Sequence, residues 1–117
     1  RSPETVREYN EKLKGRIRDL IGDVKVDEQR LLTEAAIYAD KVAVDEETVR
    51  LHSHIDQLKS MFEDDSAIGR KMDFLVQEIN REANTIGSKA SDLEITSRVL
   101  DIKGNVEKIR EQVQNIE

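Results

Sequence analysis

The sequence predicts an all-α chain, with about five helices in an elongated antiparallel bundle. Three observations carry that expectation. Charged residues make up 38% of the chain and aromatics 3%, the composition of a long-helix protein. Apolar residues recur at i, i+3, i+4 and i+7 in most of the chain, the spacing of one buried helix face. No segment shows the strict alternation of a half-buried strand. The 117 residues suffice for one domain with a real core. The reading is therefore a single helical domain over 1–117, divided into a first helix (1–26), a helical pair (27–65), a central helix (66–90) and a seam helix (91–117).

Ser2-Pro3-Glu4 reads as a cap, a proline at the first helical position and an acidic first turn. Val6, Tyr9, Leu13, Ile17, Leu20 and Val24 supply one apolar face. Lys12, Lys14, Arg16 and Arg18 alternate, so they spread around the helix as solvated surface and form no single phosphate-binding stripe. A break is expected from Gly22 to Val26. Asp27 then caps a helix running to about Val42, with a small inner face of Leu32, Ala35, Ala36, Ala39 and Ala43 suited to close packing.

Asp45-Glu46-Glu47 is expected to open the third helix, where acids meet the positive end of the helix dipole. Val44, Leu51, Ile55, Leu58 and Phe62 form its stripe, flanked by Glu47, Arg50 and His54. His52 and His54 are two residues apart and point to different sides, so they do not make a two-histidine helical metal site. His54, beside Glu47 and Arg50, is the candidate for proton transfer or metal ligation, against the plainer role of a partly buried hydrogen-bonding residue. Glu63-Asp64-Asp65-Ser66 reads as a turn. It lacks the ligand alternation and glycine of a calcium loop, and its Ser66 can cap the central helix.

The central stretch, GRKMDFLVQEINREANTIGSKA from Gly69 to Ala90, organises the chain. Met72, Leu75, Val76, Ile79, Ala83 and Ile86 make its inner face. Opposite lie Asp73, Gln77, Asn80 and Asn84. Asn and Asp compete with the backbone for hydrogen bonds and weaken a helix interior, so their presence marks a face wanted for contact or for helix–helix hydrogen bonding. Gly87 is expected to end or kink this helix. Ser91 or Asp92 starts the last one, whose Ile95, Val99, Ile102, Val106, Ile109, Val113 and Ile116 form a heptad seam. So long a stripe needs an equally long partner, inside the chain or in another subunit. Gly104 costs this helix about 1 kcal/mol relative to alanine, and the close approach of a neighbour would account for it.

Composition limits function. There is no cysteine, hence no disulfide, thiolate ligand or thiol nucleophile. No apolar run is long enough to span a membrane and no signal peptide is visible. The chain opens RSPETV without a methionine, which reads as a fragment or a processed chain. Net charge is −6 and neither half is a basic patch, which argues against a stand-alone nucleic-acid binder while leaving a local basic strip open. No Gly-rich phosphate loop or Ser/His/Asp triad is present.

What remains is the polar chemistry of the central helix. Glu78 and Glu82 share a face at i, i+4 and repel modestly, with Lys71 and Lys89 placed to offset them. Arg70, Arg81 and Ser88 form another outward strip. Carboxylates that hold Mg²⁺ or Mn²⁺, amides that complete oxygen coordination and arginines that neutralise phosphate together suit metal-assisted phosphodiester cleavage. Ordinary salt bridges on a charged helix are the competing reading. A metal site draws ligands from more than one element, so Glu46, Glu47 or His54 would contribute.

Several stretches of this chain resemble the C-terminal region of the bacterial YicC/YloC family. They are GRKMDFLVQEINREANTIGSKA, RLLTEAAIYADK, VDEETVRLHSHI and KIREQVQNIE, with NREANTIGSKA and the ending EQVQNIE the most specific. The resemblance covers roughly 28–117. It departs at Thr48, where the family carries a hydrophobic residue, and at His52, where it carries an acid or alanine. His52 therefore receives no family role, whereas His54 matches a family histidine. The resemblance implies a metal-dependent, cytoplasmic bacterial endoribonuclease that acts on RNA and assembles as a homo-oligomer, a hexamer being expected. It also implies a further N-terminal region, which would supply basic RNA-binding surface. The role assignment from helix geometry is then Asp73, Glu78 and Glu82 as carboxylates for Mn²⁺ or Mg²⁺, with Glu47 also near the ion. His54 and Glu47 would transfer protons or support the ion's ligands from behind, Arg81 and Lys89 would meet phosphate, and Asn80 and Asn84 would orient water or RNA. The alternative is a non-catalytic module that joins subunits through the Ile95–Ile116 seam, or an adaptor for RNA-degradation machinery.

Overall fold

The computed structural model describes residues 2–38, 41–63, 69–90 and 92–116. They form four helices: α1 (Pro3–Tyr38), α2 (Lys41–Glu63), α3 (Gly69–Lys89) and α4 (Leu93–Ile116). The molecule is elongated, 56 × 22 × 16 Å. α1 packs chiefly on α4 and also on α2, α2 on α3, and α3 on α4, so the helices close a ring in chain order. Cross-helix partners run in opposite chain directions at every seam. Lys25 meets Asp56 and Glu28 meets His52. Glu47 meets Lys89 while His54 meets Glu82. Glu34 meets Arg98 while Asp27 meets Asn105. Asn84 meets Lys103 while Gly87 faces Val99, so every neighbouring pair is antiparallel. No described helix is long and apolar enough to cross a membrane.

The described residues form four helices and not five because α1 runs straight through the expected break. Its start follows the sequence: the Ser2 hydroxyl accepts a hydrogen bond from the Thr5 amide at 3.2 Å, and Pro3 is the first helical residue. Gly22 lies on the exposed side of α1, where a missing side chain removes no packing. Ile17, Ile21, Val24, Leu31 and Ala35 are all buried on one stripe, and it holds the helix together across the glycine. The position between Val24 and Leu31 on that stripe is Glu28, which is fully buried. A carboxylate at a core position hid the continuity of the stripe. Asp27 consequently sits mid-helix and caps nothing, and the face turns inward through Leu31 and Ala35, with Ala36 exposed. At the other end, Val6 and Tyr9 are exposed, and burial begins at Leu13.

α2 starts at Lys41, ahead of the acidic triplet expected to open it. Val44, Leu51, Ile55, Leu58 and Phe62 face the core as the spacing predicts. All six inner-face residues of α3 are buried. α4 opens on Asp92, whose carboxylate accepts the Glu94 amide at 3.0 Å. The capping role of Ser66, the acidic turn at 64–65 and the alternative start at Ser91 lie outside the described residues, as do the side chains of Ala39, Ala43 and Arg70.

Ile95, Val99, Ile102, Val106, Ile109 and Val113 are buried within this one chain. The heptad seam is therefore internal core, covered by α1 and α3. Each fully buried Ile or Leu is worth ~1.5–3 kcal/mol relative to an exposed one, which is how a chain with 3% aromatics sustains a core.

The two informative glycines exchange roles relative to expectation. α3 continues through Gly87 to Lys89, so Gly87 breaks nothing. It is instead the point of close approach, since a Cβ there would meet Val99 Cγ2 at 3.2 Å. At Gly104 a Cβ would meet nothing within 4 Å. Gly104→Ala is therefore expected to stabilise the chain by about 1 kcal/mol, because it removes a helix-interior glycine at no steric cost. Gly87→Ala gains the same propensity but must push Val99 aside, so it should fall short of Gly104→Ala. Urea denaturation midpoints of both variants check this, and a Gly104→Ala midpoint at or below wild type would refute it.

Candidate metal centre

Three of the sequence-selected residues, His54, Glu78 and Glu82, converge on the seam between α2 and α3, and Glu47, Arg81 and Lys89 lie along the same seam. His54 Nδ1 lies 2.8 Å from Glu82 Oε2, and because a carboxylate only accepts, the ring nitrogen donates. Glu82 is 2% exposed, and its other oxygen, Oε1, lies 3.7 Å from Arg50 Nε. Glu78 joins from one turn earlier on α3. One donor atom from each of His54, Glu78 and Glu82 lies within 4.8 Å of the others. Burial of Glu82 follows from its place beside Ala83 on the apolar stripe of α3. Its charge is tolerated there because it is hydrogen-bonded and faces a guanidinium.

A cationic border surrounds the trio. Arg50 reaches Glu46 at 3.7 Å and Glu47 at 3.4 Å besides Glu82. Lys89 Nζ donates to Glu47 Oε1 at 3.3 Å, so Glu47 serves as the next link in an α2–α3 charge ladder. Burial pushes the Glu47 carboxyl up, but a backbone hydrogen bond, the Lys89 hydrogen bond and the charges of Lys89 and Arg50 outweigh it and hold it below the ordinary value. Arg81 lies 3.6 Å from Glu78 and is largely exposed, its guanidinium at the mouth of the site.

The other predicted residues sit elsewhere. Asp73 and Gln77 line a shallow cleft with Glu107 and Arg110 on the α4 side of α3. Asn84 accepts a hydrogen bond from Lys103 of α4 at 3.1 Å. Asn80 shares their side of the helix, and its Oδ1 is buried without a partner among the described residues. The polar outer strip thus faces the α3–α4 groove, whereas the trio faces α2.

A second histidine–glutamate pair was not legible in the sequence. His52 Nδ1 lies 2.8 Å from Glu28 Oε2, and its Nε2 lies 3.1 Å from Asp56 Oδ2. Lys25 bonds the other Asp56 oxygen. That hydrogen bond, set against burial, holds the Asp56 carboxyl below its ordinary value. The signal that could have revealed the pair is Glu28 itself, an acid at a heptad position seven residues before Ala35 and three before Leu31. A third acidic group lies between α1 and α4, where Asp27 and Asp101 line one cleft with Arg30 and Asn105. Burial and then the Asp101 charge raise the Asp27 carboxyl, against the pull of Arg30, Arg98 and the Asn105 hydrogen bond.

The chain matches the family described as "Endoribonuclease YicC-like, C-terminal" over residues 1–117. It belongs to that family. The match includes the first helix, beyond the stretch carrying the resemblance in the sequence alone. The chain is 56% identical over 117 residues to a protein of Clostridioides difficile (strain 630) named "Probable endoribonuclease YicC", covering 99% of this chain and 40% of that protein. It is 36% identical over 115 residues to a protein of the same name from Haemophilus influenzae, covering 98% of this chain and 39% of that protein. This YicC-like chain therefore spans about two fifths of the length of those relatives.

The trio fits a divalent ion by donor chemistry. Two carboxylates with one imidazole suit Mn²⁺ more than Mg²⁺, which prefers oxygen alone. The ligands come from two helices, as a built site requires, and a packed scaffold holds them.

Proposed function

We propose that this chain is the C-terminal helical part of a bacterial, cytoplasmic endoribonuclease that cleaves RNA phosphodiester bonds with the aid of Mn²⁺ or Mg²⁺, and that the α2–α3 seam carries part of its active site. The convergence of His54, Glu78 and Glu82 from two helices to within 4.8 Å is the observation that carries the reading. A bound ion would supply Lewis-acid polarisation of the phosphate and a more acidic attacking hydroxyl or water.

The chain's own residues do the rest. Glu78 and Glu82 would hold the ion and set its charge environment. His54, oriented by Glu82, holds or passes a proton at Nε2. Arg81, exposed at the mouth, neutralises a phosphate oxygen of the bound strand. Arg50 and Lys89 keep the surrounding carboxylates from repelling that strand. With a net charge of −6 on this chain, bulk RNA affinity would come from another region of the protein or from a neighbouring subunit. Because the α4 seam is internal, a homo-oligomer such as the expected hexamer joins through other surfaces.

The test is cleavage of a labelled single-stranded RNA by the full-length protein in Mn²⁺, in Mg²⁺ and in EDTA. Cleavage in at least one metal, abolished by EDTA and restored by excess metal, is expected. Cleavage that survives EDTA, or none in any metal, would overturn the catalytic reading and leave the adaptor role.

A further inference from the structure

We infer that Phe74 is a stacking platform for one nucleobase of a single-stranded RNA whose phosphate lies at the α2–α3 trio. The inference rests on the endoribonuclease reading of that site and adds a substrate class to it: unpaired RNA, held through a base as well as through its backbone.

The chain holds two phenylalanines. Phe62 is buried in the core, with Arg18 over its ring at 5.9 Å. Phe74 is 54% exposed. A lone exposed apolar residue would ordinarily need no explanation. This one is placed by the candidate site. It lies one helical turn before Glu78 and two before Glu82, and Arg81 follows it by seven residues, so all four share one side of α3. Its ring meets the imidazole of His54 edge-on, with centroids 6.2 Å apart and planes at 89°. That contact ties the ring to the site's own histidine while leaving about half of the residue open to solvent.

The arrangement has the two parts that single-strand binders combine. An aromatic ring can stack on a base, and two turns further along the same side of α3 an exposed guanidinium, Arg81, which also reaches Glu78 at 3.6 Å, can donate to a phosphate. A base paired inside a duplex offers no free face to a ring on a helix surface, so the platform selects unpaired nucleotides. Stacking tolerates any base, which predicts weak sequence preference at this position.

The chain contains no tryptophan, so Phe74→Trp in the full-length protein places a fluorophore at the site, read as the difference from wild type. The protein is titrated with a short oligoadenylate, an abasic strand of equal length and a duplex, in EDTA and in Mg²⁺. The oligoadenylate should quench the indole saturably, and the abasic strand and the duplex should not. By fluorescence anisotropy, Phe74→Ala should bind the oligoadenylate about 10-fold more weakly, with Phe74→Tyr near wild type. Equal quenching by the abasic strand, wild-type binding by Phe74→Ala, or no binding of any strand overturns the inference. So does indole emission that is already blue-shifted without RNA together with a lowered melting temperature of Phe74→Ala, since the ring would then be covered by protein. The two readings fail separately. RNA that stacks but is never cut in any metal removes the catalytic reading and keeps the platform. Metal-dependent cleavage with Phe74→Ala binding and cutting as wild type removes the platform and keeps the catalytic reading.

Discussion

Glu82→Gln is expected to lower metal-dependent RNA cleavage by the full-length protein about 100-fold or more, with the melting temperature close to wild type. Glutamine keeps the volume of a side chain that is 2% exposed, and its amide oxygen can still accept the His54 Nδ1 proton at the position where Glu82 Oε2 lies at 2.8 Å. What it loses is the charge that, with Glu78, makes the trio attractive to a divalent ion. Mn²⁺ affinity, followed by titration calorimetry, should therefore fall in parallel with cleavage. Asp73→Asn is the contrast, because Asp73 faces the α4 side with Arg110 and Glu107 and lies outside the trio. Its effect should be several-fold at most. Full activity and unchanged Mn²⁺ binding in Glu82→Gln would remove the trio from the mechanism. A large loss in Asp73→Asn alone would move the catalytic centre to the α3–α4 groove.

The contrast between Glu82 and Asp73 shows what periodicity can and cannot reveal. The i, i+4 relation of Glu78 and Glu82 follows from helix geometry alone, and so does the flank Glu47–Arg50–His54. Which neighbouring helix each strip meets depends on how the bundle closes. The ring order, with α3 between α2 and α4, sends the carboxylate pair towards His54 and the amide strip towards Lys103 and Arg110. Those two destinations are indistinguishable from the sequence, where Asp73, Asn80 and Asn84 read as part of the same site as Glu78 and Glu82.

Glu28 and Gly87 depart from the sequence pattern for a common reason. Apolar pattern is a proxy for burial, and it fails where a charged residue is buried with a partner. Glu28 occupies a core position because His52 reaches it from α2, and a stripe counted by apolar residues alone stops there. Glycine is ambiguous in the same way. Gly87 admits Val99 and Gly104 admits nothing, and only the position of the facing helix separates them. Phe74 lies off the apolar stripe of its helix, and its distance from His54 is a tertiary fact that periodicity does not carry.

Ile109→Asp is expected to unfold the chain. Ile109 is fully buried in the seam, and α1 and α3 are the helices that pack on α4. The substitution removes most of an isoleucine's buried apolar surface and places an unpaired carboxylate there. Truncating a core Ile costs ~2–5 kcal/mol before the charge is counted, and an uncompensated buried charge adds several more. That total rivals the ~5–15 kcal/mol that stabilises a whole domain. Ile109→Val should cost only ~0.5–1.5 kcal/mol and stay folded, so it isolates the charge and the cavity from the position itself. Far-ultraviolet circular dichroism should show loss of helix in the aspartate variant and retention in the valine variant, with sedimentation reporting mass in both. A folded, helical monomer from Ile109→Asp would mean that the seam faces another subunit and that the helices close differently in solution. The α2–α3 trio would then lose its warrant too, since the same closure brings His54 to Glu82.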